Sequence, residues 1–202
     1  MIDNLPEDRS VILTFDDGPE PVETLEAIVA ILEREGIKAC FFLLGEGVER
    51  HPEAARMLVD RGHEAASHNW RHVSMPKLTE AEMYDQLRRT QEVIRAATGV
   101  TPVRFRPPFG EGFYNAKCPE LLRSAERLSL EMIGWTLDTY DWQKPRELGI
   151  RFDRVQERME LFVSVGRTSN VELLLHVYPT TVPGLPRLIA FLRGLGFSFT
   201  TY

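Results

Sequence analysis

Two adjacent carboxylates, Asp16 and Asp17, end an apolar, β-branched run, Ser10-Val11-Ile12-Leu13-Thr14-Phe15, and Gly18-Pro19 follows at once. The run reads as a buried strand, and Gly-Pro as the turn that stops it. Side chains alternate across a strand, so two neighbours converge on one pocket only where the chain is already turning. Paired carboxylates leaving water need a cation, an arginine or both to hold them. Further on, His68-Asn69-Trp70-Arg71-His72 sets two imidazoles four residues apart. On a helical turn they would face the same way and suit one metal ion. Two histidines and one carboxylate leave such an ion with open positions, as a catalytic site requires. Arg106 precedes Pro107-Pro108-Phe109-Gly110, stiff backbone able to aim an amide at a developing oxyanion. Asp138-Thr139-Tyr140-Asp141-Trp142 puts carboxylates beside a large aromatic, and His176 ends an intensely apolar run.

Each piece also has an ordinary reading. Asp-Asp-Gly-Pro is commonly a solvated turn, His-x-x-x-His a surface pair, and a histidine on an apolar strand a satisfied core residue. What joins them is the set of elements that must carry them. A helix at 22–35 aligns Leu25, Ile28, Val29 and Leu32 on one face, and Gly36 ends it. Residues 38–44 form a second strand, and Gly45 and Gly47 read as loop glycines, without the context of a dinucleotide site. Pro52 opens a helix that Gly62 closes, and a third strand at 64–67 delivers His68. Thr79-Glu80-Ala81-Glu82 is a capping box for a helix reaching about Ala97. A fourth strand, 103–106, carries Arg106; a helix begins at Pro119; a fifth strand runs 131–137. A less regular helix covers 146–165, a sixth strand 171–177, a last helix 183–195 and a seventh strand 197–202.

Alternation of this kind means parallel strands with helical crossovers in a single domain, 1–202. About seven units suggest a closed or nearly closed α/β barrel, with an open doubly wound sheet as the alternative. Either way the active site belongs at the carboxyl ends of the strands, which is where Asp16, Asp17, His68, His72, Arg106, Asp138, Asp141 and His176 all fall. Unrelated surface residues would scatter over both ends.

The totals exclude several classes. A chain of 202 residues with 43% apolar and 27% charged residues can bury a substantial core. A net charge of −6 argues against a nucleic-acid surface. No apolar run is long enough to span a bilayer. Residues 1–8 are acidic and carry no apolar leader segment, so a cytoplasmic location is expected unless a leader has been removed. Cys40 and Cys118 have no ligand spacing; Cys40 reads as core, and a disulfide has no support. His51 precedes the helix-starting Pro52 and His63 follows the helix-stopping Gly62, and both read as surface or packing groups. No partner protein is expected.

With these pieces assembled, the sequence resembles the polysaccharide deacetylase superfamily, which includes chitin, peptidoglycan and nodulation-factor deacetylases. Thr-Phe-Asp-Asp-Gly-Pro matches the family's opening motif letter for letter, and the other motifs follow in family order across almost the whole chain. The resemblance implies a distorted (β/α)7-type barrel and one divalent ion, zinc first, with cobalt, nickel or manganese as alternatives. It implies Asp17, His68 and His72 as metal ligands, Asp16 as general base and Arg106 as the group that holds Asp16. Phe109 would contribute its backbone N–H to an oxyanion hole. Asp141 would tune His176, the general acid. Trp142, Leu174 and Pro108 would contact the substrate. The implied reaction is N-deacetylation of an acetylated amino sugar. Hydrolysis of a formamide or cyclic amide, and an inactive sugar-binding module, are the alternatives. The chain departs from the family pattern at Asn69, where Ser or Thr is usual, at Phe109, where Tyr is commoner, and at Val177-Tyr178-Pro179, where Asp often follows the histidine.

Overall fold

Strand β1 (Ser10–Gly18) holds the sheet together. In the computed structural model, which describes residues 9–114, 118–143, 149–166 and 168–202, β1 is the strand with three partners. On one edge it pairs with β7 (Val171–His176) in a register running from Val11 opposite Val171 to Asp16 opposite His176. The other edge is shared. Residues 10–12 pair with β8 (Ser198–Thr200), and Thr14 onward pairs with β2 (Cys40–Leu43). The sheet continues from β2 to β3 (Glu64–Ser67), β4 (Arg104–Phe105) and β5 (Glu131–Met132), and from β7 to β6 (Leu137–Asp138). All these pairings are parallel. No pairing joins β5 to β6 among the described residues, so the barrel is incomplete there. This is the expected distorted barrel of parallel strands.

The expected fifth strand is in fact two short ones, β5 and β6. Between them the Gly134 carbonyl accepts from Arg106 Nη2 at 2.6 Å rather than from a neighbouring strand. A side chain at Gly134 would meet Phe113 and Tyr114 at 2.3 and 2.4 Å, so the chain bends where only glycine fits.

The helices are α1 (Val22–Arg34), α2 (Gly45–Arg50), α3 (Pro52–Asp60), α4 (Glu80–Thr98), α5 (Pro119–Arg127), α6 (Phe152–Ser164) and α7 (Leu185–Gly194). Leu25, Ile28, Val29 and Leu32 of α1 are buried as their spacing predicts, each contributing roughly 1.5–3 kcal/mol. The Thr79–Glu82 capping box opens α4, and Gly99, at φ 79°, closes it. Gly45 and Gly47 are not loop residues; they lie in α2. Their smallness serves packing: a Cβ at Gly45 would meet Trp70 at 2.5 Å, and one at Gly47 would meet Pro19 at 2.9 Å. The helix expected at 146–165 begins at Phe152, and residues 144–148 and 1–8 lie outside those described. Cys40 and Cys118 are both buried and free. No helix among the described residues is long and apolar enough to cross a membrane.

Candidate active site

Asp16 is almost fully buried beside Arg106, which is wholly buried. Arg106 Nη1 donates to Asp16 Oδ1 at 2.8 Å and to Thr14 Oγ1 at 2.7 Å. The guanidinium also lies over the Phe42 ring, 4.1 Å from its centroid. Strand β4 can deliver this arginine because its own amide donates to Ser67 O at 3.0 Å, which fixes the register with β3. The result is a charged pair inside the barrel mouth, with the carboxylate's second oxygen, Oδ2, 3.8 Å from His68 Nε2.

Asp17 has the left-handed φ of 68° that lets it follow Asp16 without alternating away from the pocket. Its Oδ1 stands 3.5 Å from His68 Nε2 and 3.6 Å from His72 Nε2. The three ligand atoms lie within 4.8 Å of one another. Two atoms each about 2.1 Å from a tetrahedral ion stand roughly 3.4 Å apart, close to the distances from Asp17 Oδ1 to the two imidazoles. His68 Nδ1 lies 2.8 Å from Arg106 O. A carbonyl only accepts, so Nδ1 carries a proton, and the neutral ring presents its lone pair at Nε2. An Nε2 lone pair facing a carboxylate oxygen is repulsive unless a proton or a metal ion lies between them. Asp17 Oδ1 is buried with no hydrogen-bond partner among the described residues. The donor set therefore fits a divalent ion. Burial raises the Asp17 pKa, but the approach of His68 and the fields of His68, His176 and His72 outweigh it, and the carboxyl stays well below its ordinary range. Burial, then His68, lowers the pKa of His72, favouring the neutral ring a ligand requires.

The two histidines do not share a helical turn. The segment after β3 is a series of bends, and Asn69 sits at φ 73°. Asn tolerates that conformation better than the usual Ser or Thr, and its Nδ2 donates to Arg71 O at 3.0 Å.

Across the cavity, His176 Nδ1 lies 2.7 Å from Asp141 Oδ1. Asp141 Oδ2 accepts from the His176 amide at 2.9 Å and from Thr181 Oγ1 at 2.8 Å. Burial alone would lower the His176 pKa. The Asp141 bond and the charges of Asp141, Asp16 and Asp17 more than reverse this and raise it to about 9. Asp138 accepts from Trp142 Nε1 at 3.0 Å through Oδ2 and from the Tyr140 amide at 2.7 Å through Oδ1. Burial nevertheless raises the Asp138 pKa, the bonds from Trp142 and Tyr140 only partly opposing it.

These groups surround a cavity of about 550 Å³. Asp16, Asp17, His68, His72, Leu174 and His176 form its walls, and Phe109 and the part-exposed Trp142 join them. Phe109, at φ 61°, packs its ring edge-on to His72 with centroids 4.4 Å apart. Arg106 and Asp141 stand behind the wall. Pro108 is buried and does not line the cavity; it lies in the turn that carries Phe109. No local pattern in the sequence marks Trp135, Thr181 or the role of Tyr178, which lines the cavity and donates to Asp17 Oδ2 at 2.7 Å. His51 pairs with Glu20 at the surface, and His63 is buried against Phe41 with its pKa lowered by burial to about 4.

Residues 3–132 match the family model for polysaccharide deacetylase. The chain belongs to that family. It is 32% identical over 194 residues to the peptidoglycan-N-acetylglucosamine deacetylase PgdA of Listeria monocytogenes, an alignment covering 96% of this chain and 38% of that protein. The chain thus spans well under half the length of this relative. Among solved structures it is similar to the family 4 carbohydrate esterase from Streptomyces lividans in complex with acetate, with TM-score 0.79, 30% identity, and 96% and 92% of the two chains covered. A family 4 pseudoenzyme from Bacillus anthracis matches with the same TM-score, 0.79, at 30% identity, over 96% of this chain and 64% of that one. Fold and family therefore leave activity to be argued from the residues.

Proposed function

We propose that this polysaccharide deacetylase domain hydrolyses the acetamide of an N-acetylated amino sugar in a chitin- or peptidoglycan-type glycan, using one divalent ion, zinc in the first instance. The observation that carries the reading is the unpartnered Asp17 Oδ1 facing two imidazoles, with an arginine-held carboxylate on one side and a carboxylate-held imidazole on the other. The names of the Listeria relative and of the acetate-bound Streptomyces esterase support the substrate class.

Asp17, His68 and His72 would hold the ion, which supplies an acidified water and a positive contact for the amide oxygen. Asp16 takes the proton of the attacking water, and Arg106 keeps its carboxylate turned to the cavity. The water oxygen bonds to the acetyl carbon, and the Phe109 backbone N–H helps to stabilise the charge that grows on the carbonyl oxygen. His176 then gives a proton to the nitrogen as the C–N bond breaks, releasing acetate and the free amine. Its Nδ1–H is held by Asp141, so Nε2 is the atom that serves the substrate. Leu174 and Trp142 enclose the acetyl methyl, and Pro108 stiffens the Phe109 turn.

The test is acetate release from acetylated chitooligosaccharides before and after chelation, with zinc then restored. Turnover that vanishes with the ion and returns with it is expected. Formate release from small amides, with none from sugars, would redirect the reading to another C–N bond. Tight sugar binding without turnover or bound ion would make the domain a binding module.

A further inference from the structure

Tyr178 lines the cavity yet has no part in the chemistry above. We infer that Tyr178 is the positioning residue that presents Asp17 to the ion through a single oxygen. This rests on the ion-binding reading of the same site.

A carboxylate has two equivalent oxygens, and rotation about its terminal sp³–sp² torsion is soft. Nothing in Asp17 itself selects which oxygen faces His68 and His72. The Tyr178 hydroxyl makes that choice: it donates to Oδ2 at 2.7 Å. Oδ1 is left toward the imidazoles, buried and without a hydrogen bond among the described residues. The phenol can act as a fixed stop because it is held from several sides. Its ring lies parallel to the His176 ring, with centroids 5.1 Å apart and 11° between planes. Its amide donates to His176 O at 2.8 Å, and the preceding Val177 amide donates to Asp16 O at 3.0 Å. Pro179 follows and restricts the Tyr178 backbone. The segments 16–17 and 177–178 are therefore joined by both backbone and side chain. Tyr178 does for the carboxylate what the Arg106 carbonyl does for His68: each fixes the atom that is turned to the ion.

The experiment titrates zinc into the ion-free wild type and Tyr178→Phe against a competing chelator, then measures kcat across zinc concentrations. Phe keeps the ring and removes only the hydroxyl. The ion-free variant should melt about 3–12 °C lower, as expected for one lost hydrogen bond to a charged group, and remain folded. We expect one zinc per chain in both proteins, a zinc Kd raised about 10–100-fold in the variant, and a kcat that returns to near the wild-type value once zinc saturates. An unchanged Kd overturns the inference, and so does a kcat that stays depressed at saturating zinc. A wild type that binds no zinc would instead overturn the ion-binding reading itself.

Discussion

Two carboxylate–imidazole arrangements share this cavity and are built in opposite ways. Asp141 and His176 are closed on each other: 2.7 Å between Oδ1 and Nδ1, with Oδ2 taking two more bonds, from the His176 amide and Thr181. Asp17 is held open. Its Oδ1 stops 3.5 and 3.6 Å short of His68 and His72, and Tyr178 holds its other oxygen away. The residue types are the same, so the difference lies in how the second oxygen and the second ring nitrogen are occupied. In the closed pair the carboxylate takes the imidazole's Nδ1–H and favours a protonated ring, as an acid needs. In the open set a backbone carbonyl takes Nδ1–H of His68, so the ring turns Nε2 toward Asp17 Oδ1. On the proposed function, one arrangement handles a proton and the other a cation.

The largest effect should come from breaking each arrangement in turn. His176→Ala should lower kcat by about 10²–10⁴ while one ion per chain still binds. Asp17→Ala should lose ion affinity by more than the roughly 100-fold typical of losing a ligand's supporting partner. Elemental analysis of each variant beside its kcat checks the division. Ion loss in His176→Ala, or full ion content in Asp17→Ala, would reverse the two assignments.

The sequence revealed these arrangements unevenly. Asp16, Asp17, His68, His72, Arg106, Asp141 and His176 were legible because each ends or follows a strand, and parallel strands bring their ends together. The two apolar runs marked the strands themselves, not the β1–β7 register that sets Asp16 opposite His176. What escaped was whatever depended on contacts between distant segments. Tyr178 and Thr181 matter through Asp17 and Asp141, separated from them by 161 and 40 positions, and no local pattern marks such a bond. Gly45 and Gly47 looked like loop because glycine disfavours helices, whereas packing against Trp70 and Pro19 demands small residues there. The fifth strand looked continuous because its detour at Gly134 answers a hydrogen bond from Arg106. The helical turn expected of 68–72 gave way to bends around Asn69, although both imidazoles still reach Asp17.

A second, smaller effect separates the arrangements by pH. In the ion-free protein His176 has a pKa of about 9, above the ordinary 6.5. Its contribution to stability is therefore fully present below about pH 6.5 and is lost as pH rises through 9. Asp17 runs the other way: with its pKa depressed, its contribution is present above its ordinary value near 3.8 and fades only in strong acid. Denaturant unfolding at pH 6 and pH 10 should show the wild type losing about 3 kcal/mol more than His176→Gln across that interval. Parallel losses in the two proteins would mean that the closed pair does not favour the imidazolium.

The smallest effect tests what keeps the closed pair closed. Thr181 is wholly buried and donates to Asp141 Oδ2 at 2.8 Å. Thr181→Val keeps the shape and removes that donor, which should cost about 1.5–3 kcal/mol of stability, as for a hydrogen bond to a charged group. Asp141 would then have fewer donors spreading its charge and would attract the His176 proton more strongly. The alkaline limb of the kcat profile should consequently move to higher pH, while ion affinity stays at the wild-type value, because Thr181 bonds Asp141 rather than Asp17. A loss of stability with an unmoved alkaline limb would reduce Thr181 to a packing residue. A shift toward lower pH would show that Thr181 holds Asp141 in place for His176 more than it draws charge away from it.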